Sequence, residues 1–126
     1  GAKLAKQLPV SVPSHCALMH PAAERMRERL KLTKIETPRI PVLHNAHVRA
    51  ESSADAIRNA LVRQVESPVR WVETIQKMAA DGVDKLIECG PGRVLAGLNK
   101  RISKETQTLS VYDPESLRQA RAALGA

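Results

Sequence analysis

Among the side chains that could do chemistry, His15 stands in the most suggestive setting, Val12-Pro13-Ser14-His15-Cys16. It lies three residues beyond Leu8-Pro-Val-Ser-Val12, whose alternation predicts a short strand stopped at Pro13. An imidazole titrates near neutral pH and is the usual general base, although a lone histidine at a strand end is more often merely hydrogen-bonded. Cys16 is a poor nucleophile for it, because neighbours on extended chain point to opposite sides, and it reads as a buried small hydrophobe. Gln64 shares a predicted apolar helix stripe with Ile57, Ala60, Leu61 and Val65. An amide on such a stripe must satisfy several hydrogen-bonding groups once buried, so it either anchors local structure or holds something in place.

Other patterns carry weaker chemistry. Gly90-Pro91-Gly92, with Gly97 further on, is similar to a phosphate-binding turn at a helix start, but Pro91 lacks a donor and the glycine spacing is wrong, so a tight packing turn is the plainer reading. His44 and His47 could share a metal only with further ligands, which the nearby sequence does not supply, so no metal is expected. Arg25, Arg27, Arg29, Lys31 and Lys34 are interleaved with Glu24 and Glu28, as on a solvated helix face. No Gly-x-Ser-x-Gly occurs anywhere, so if His15 is a base, its nucleophile is expected outside this chain.

The elements that would position these groups alternate. Strands are predicted at Leu8–Val12, Ile40–Leu43, Val83–Cys89 and Thr108–Tyr112. Helices are predicted from Pro21, with Met19, Ala22, Ala23, Met26 and Leu30 inward, from a Ser52/Asp55 capping box, from Ser67-Pro68 through about Ala80, after Gly92, and from Asp113-Pro114. Gly1 to Gln7 is also helix-like. The order predicts an α/β fold, a parallel sheet with flanking helices, and places His15, His44 and Gly90 just past strand ends, where reactive groups collect.

The 126 residues provide for one domain with a single core. Apolar residues at 43% and charged residues at 26% exclude the profile of a disordered chain. No run approaches the roughly 20 apolar residues of a membrane helix, no signal-peptide zones open the sequence, and two cysteines are too few for a disulfide framework. A cytoplasmic protein with reduced thiols and no membrane partner is expected. Lys and Arg number 20 against 13 Asp and Glu, a net +7, which favours anionic partners. Nucleic acid is not favoured among them, because Trp71 and Tyr112 are the only aromatic residues and cannot build base-stacking platforms.

Three blocks carry a family resemblance. Leu8-Pro-Val-Ser-Val-Pro-Ser-His-Cys-Ala-Leu-Met19 resembles the histidine segment of bacterial malonyl-CoA:acyl carrier protein transacylases. Asp55-Ala-Ile-Arg-Asn-Ala-Leu-Val-Arg-Gln64 with Ser67-Pro-Val-Arg-Trp71, and Glu88-Cys-Gly-Pro-Gly-Arg-Val-Leu95 through Ile102, are similar to the blocks that follow it in that family. The likeness spans roughly residues 1 to 112 and is loose beyond Asp113.

The resemblance implies the carboxyl-terminal portion of an α/β-hydrolase-like acyltransferase core, with residues 1–126 as one part of its catalytic domain. It implies that His15 activates an acyl-accepting serine, that Gln64 orients His15, in some members through its backbone carbonyl, and that Ser14 helps shape the acyl pocket. Malonyl-CoA and acyl carrier protein would be the substrates, with no cofactor, and Arg93, Lys100 and Arg101 are candidates for the surface that meets carrier protein or coenzyme A. The serine, the oxyanion donors and the malonyl-carboxylate clamp would come from the amino-terminal part of the enzyme. The chain alone would then be inactive. From another class, a non-catalytic phosphate- or carrier-protein-binding module built on the Gly90 turn is the alternative.

Overall fold

In the computed structural model, which describes Gly1, residues 3–7 and residues 9–125, a 3-10 turn at Ala17–Met19 runs directly into α1, His20–Lys31. Then follow β1 (Leu43–His44), β2 (Arg49–Ala50), α2 (Ala54–Glu66), α3 (Trp71–Ala80), β3 (Lys85–Cys89), α4 (Val94–Ile102), β4 (Gln107–Val111) and α5 (Pro114–Leu124). The chain divides into two compact units, Gly1–Val69 and Arg70–Ala126. The length predicts a single core; each unit instead gathers a small one of its own.

In the first unit α1 packs against α2 through Ala23, which is wholly buried, and the buried Ile57, Ala60 and Val62. Alanines at this contact let the helix backbones come close. Arg58 on α2 joins the two: its Nε donates to the Leu30 carbonyl, which also accepts from the Thr33 N–H, and its Nη2 to the Thr33 carbonyl just past α1, each Arg58 bond at 2.9 Å. The cap of α2 is Ser53, whose Oγ accepts from the Ala56 N–H at 3.2 Å, so the Ser52/Asp55 expectation sits one residue early. Val62 is buried although it lies off the predicted stripe, because it sits on the surface of α2 that packs against α1, beside Leu30.

Two predicted strands do not form. Residues 9–13 and 40–42 are irregular, with Leu8 outside the described residues, and only the two-residue antiparallel hairpin β1–β2 follows. A strand persists only where its backbone groups are paired, and Pro9, Pro13 and Pro41 have no N–H to give. Residues 3–7 are not helical either and are exposed, with Ala2 outside the described residues; so short a helix needs a packed face to survive. His15 and His44 therefore do not follow parallel strands.

The second unit is the α/β part. β3 and β4 pair in parallel from Lys85↔Gln107 to Cys89↔Val111, with α4 as the connection between them and α5 packed on β4. Among the described residues the parallel sheet has two strands, not four. Ser67-Pro68 does not open α3, which starts at Trp71 with Arg70 as its cap residue. Trp71 Nε1 donates to the buried Asn99 Oδ1 at 2.9 Å and joins α3 to α4. α5 opens with a reciprocal cap: Asp113 Oδ1 accepts from the Ser116 N–H at 2.7 Å, while Ser116 Oγ accepts from the Asp113 N–H at 3.0 Å. The Ser116 N–H holds the Asp113 carboxyl below the usual carboxylate range.

Candidate active site

The site begins with how α2 ends. A helical carbonyl normally accepts from the N–H four residues on, and for Gln64 that residue is Pro68, which has none. Ser67 turns away into extended backbone at φ −112° and ψ 147°. The Gln64 carbonyl is left at the negative end of the helix dipole, open to an outside donor. His15 supplies it, with Nδ1 at 2.8 Å from Gln64 O.

This contact fixes the chemistry of the ring. A carbonyl oxygen has no hydrogen to give, so Nδ1 carries the hydrogen and donates it, and in the neutral imidazole Nε2 holds the free lone pair. The residue is exposed, so that nitrogen can meet a reactant. His15 also lies in the left-handed backbone region at φ 58°. For a non-glycine residue that conformation costs about 1–3 kcal/mol, while one neutral hydrogen bond contributes about 0.5–1.5 kcal/mol, so the Gln64 contact alone does not fix the loop. The chain reverses tightly here: the Ser14 N–H donates to the Val12 carbonyl at 2.8 Å and Cys16 Sγ to the Pro13 carbonyl at 3.3 Å. Cys16 is half-buried, where its type predicts a buried thiol, because it sits at this surface turn. Ser14 is exposed beside His15. A second histidine reaches the same end of α2, His20 Nδ1 lying 2.8 Å from Glu66 Oε2.

The other candidates fall elsewhere. His44 and His47 stack with ring centroids 5.4 Å apart, and His47 Nε2 is 3.0 Å from Glu51 Oε1. Burial pushes His44 below the ordinary histidine value, His47 adds to the shift, and Glu51 opposes it. At the Gly90 turn two of the N-terminal N–H groups of α4 are already taken: Leu95 N–H donates to Glu88 Oε1 at 3.1 Å and Ala96 N–H to Oε2 at 2.8 Å. A carboxylate thus occupies the place where a phosphate would bind, and the phosphate-module alternative loses its site. Arg93 lies over the Tyr112 ring, 4.3 Å from its centroid, and hydrogen-bonds its hydroxyl. Arg93 and Lys100 line one concave surface of about 340 Å³ with Thr108, Ser110 and Gln119. Lys100 and Arg101, both exposed, occupy the last turn of α4, where cations complement the helix dipole.

No model of a known protein family matches the chain. Individual relatives do. The chain is 58% identical over 116 residues to a malonyl CoA-acyl carrier protein transacylase of Haemophilus influenzae, covering 92% of this chain and 37% of that protein. A crystal structure of an acyl carrier protein S-malonyltransferase from Vibrio cholerae superposes with a TM-score of 0.90 at 52% identity, covering 95% of this chain and 39% of the other. The chain resembles malonyl CoA-acyl carrier protein transacylases, the name carried by relatives at 48–58% identity. It matches the carboxyl-terminal part of these transacylases and spans about two fifths of the length of the curated relatives it matches. Another transacylase of known structure, 50% identical with a TM-score of 0.93, covers 98% of this chain and 40% of its own and was solved in complex with a type II polyketide acyl carrier protein. Its fold and that of the other transacylases agree with the α/β arrangement of a parallel strand pair and flanking helices.

Within the matched segment, four residues that local sequence does not mark out build the site or close off another. Pro68 reads in sequence as the opening of a helix, yet it is the residue that frees the Gln64 carbonyl. Glu88 stands immediately before the glycine turn, where a carboxylate within reach of a helix start is a readable signal. His20 and Glu66 are 46 residues apart, and no local pattern links them.

Proposed function

We propose that this chain carries the histidine base of a malonyl transfer from coenzyme A to the phosphopantetheine thiol of acyl carrier protein, in fatty acid biosynthesis. The observation that carries the proposal is the His15 Nδ1 contact with Gln64 O, which leaves Nε2 as an exposed acceptor inside the matched segment. In this reading the nucleophile is a serine contributed by residues outside these 126, in the amino-terminal part of the same catalytic domain. Nε2 takes the proton of the serine hydroxyl as its oxygen attacks the malonyl thioester carbon; the C–S bond breaks, and the imidazolium returns the proton to the leaving coenzyme A thiolate. The second half runs in reverse, with the carrier-protein thiol as the attacking group. Gln64 O orients the ring by accepting the Nδ1 hydrogen. Ser14, next to His15, would contact the acyl group.

The net +7 charge suits an acidic carrier protein, with Arg93, Lys100 and Arg101 as the residues to meet it. The transfer requires malonyl-CoA and carrier protein but no further cofactor. The reading places the enzyme in the cytoplasm; among the described residues no helix is long and apolar enough to cross a membrane. Val12, Leu18, Ile40 and Val94 are all more than half exposed, which suits a surface covered by the rest of the domain and an inactive isolated piece. The test is single-turnover acylation by malonyl-CoA, followed by mass, in the enzyme carrying the complete domain. His15→Ala lowers the rate by about 10²–10⁴, the range for a lost acid–base group, and a drop below about threefold removes His15 from the mechanism.

A further inference from the structure

His15 is held to α2 by one hydrogen bond, in a backbone conformation that a non-glycine residue keeps only under constraint. Five residues on, His20 opens α1, and its Nδ1 lies 2.8 Å from Oε2 of Glu66, the last residue of α2. The two imidazoles therefore reach the same helix end, one at the backbone carbonyl of Gln64 and the other at a side chain two residues later. The link between them is short and already ordered: Ala17–Met19 form a single 3-10 turn, closed by the Met19 N–H on the Cys16 carbonyl at 2.9 Å. Fixing His20 on Glu66 thus limits where His15 can go.

We propose that His20 and Glu66 are a positioning pair that seats the His15 ring on the Gln64 carbonyl. The assignment rests on the reading of His15 as the base, and it adds two residues that touch no reacting atom. A surface turn in a strained conformation needs more than one anchor, and a second anchor on the same turn of α2 makes both contacts form or break together. His20 donates from Nδ1 to a carboxylate whether or not its ring is charged, so the tether does not depend on protonation of His20. The side chains are 63% and 28% exposed, which sets the scale of the effect as that of a partly solvated charge-assisted pair.

The decisive measurement is NMR of the His15 ring in the enzyme carrying the complete domain, read as solvent exchange of the Nδ1 hydrogen and as the ring ¹⁵N shifts that report the tautomer. His20→Leu and Glu66→Ala should each speed that exchange by about two- to fivefold, and the double variant should go no further than either single one. His20→Asn, whose amide nitrogen reaches close to the Nδ1 position, and Glu66→Gln, which keeps an acceptor, should restore most of the protection. The backbone spectrum of α1 checks that each variant is folded. Unchanged exchange in His20→Leu, or no rescue by His20→Asn in a folded chain, overturns the proposal. In the enzyme carrying the complete domain, the same variants should lower kcat for acylation by the same factor and leave KM for malonyl-CoA alone. Faster exchange with unchanged kcat overturns the role of the pair in the reaction. If His15→Ala is also without effect, the fault lies in the reading of His15 as the base and not in the tether.

Discussion

Replacing Pro68 by alanine asks whether His15 is held by a carbonyl that its own helix cannot use. Gln64 O is available because residue 68 has no N–H and because Ser67 leaves the helix at φ −112° and ψ 147°. Alanine restores the N–H and has the strongest helix preference of any residue. Extending α2 through Ser67 and the introduced alanine would then gain a backbone hydrogen bond of about 0.5–1.5 kcal/mol, in competition with a neutral ring bond of about the same size. The two arrangements come within about 1 kcal/mol, so roughly a sixth to a half of the molecules should keep the ring seated, at about 1.4 kcal/mol per factor of ten. The charged ring does better, since a bond from imidazolium contributes about 1.5–3 kcal/mol, so the loss falls on the neutral base before it accepts a proton. Single-turnover acylation should therefore slow by about two- to sixfold with the fold intact, while the His15 ¹⁵N shifts move toward the tautomer mixture of a free imidazole. If helical shifts at Ser67 and a protected amide at position 68 prove that α2 has lengthened, yet rate and tautomer are unchanged, the carbonyl is not what positions the ring.

Gln64→Ala keeps the carbonyl and should cost less activity than His15→Ala, whereas Gln64→Pro, which removes a helical N–H and displaces that carbonyl, should cost more than Gln64→Ala; equal turnover in equally folded variants counts against backbone orientation. Charge reversal at Arg93, Lys100 and Arg101 should raise KM for carrier protein and flatten its salt dependence with kcat nearly unchanged, and a change in solubility alone would leave these residues as a solvated face. His44, kept below its ordinary value of 6.5 by burial and by His47, is protonated more readily in the unfolded chain, so the stability it contributes is complete above about pH 6.5 and is lost as pH falls toward its folded value. Urea unfolding across that window should slope in this sense and should flatten in His44→Gln.

How much of this site could be read from the sequence depends on how far each cause acts along the chain. The helix stripe that singles out Gln64 is a local pattern, and so is the Asp113-Pro114 start of α5; both appear in the structure within a residue or two. The strand pair β3–β4 is legible because each run is apolar and bounded by turn residues, and because each finds a partner. Leu8–Val12 and Ile40–Leu43 show similar alternation, yet no partner strand meets the described residues of either beyond the short hairpin, and alternation without a neighbour does not make a strand. Ser67-Pro68 fails in another way, since proline ends one helix as naturally as it starts the next and local sequence cannot say which will hold.

The part of the site that matters most combines both kinds of cause. That Gln64 should orient His15 comes from family resemblance, but the physical reason is that proline four residues later leaves a helical carbonyl without its donor. A backbone carbonyl in that place selects the tautomer as a carboxylate would, and carries only the partial charge of a helix end in place of a full one. The ring is thereby oriented by a neutral group, and in the proposed reaction the same ring takes a proton and gives it back within one turnover. The full charge nearby, Glu66, is engaged by His20 instead. The division of partners between the two histidines, carbonyl for the proposed base and carboxylate for its neighbour, is a property of the folded turn that neither sequence segment carries alone.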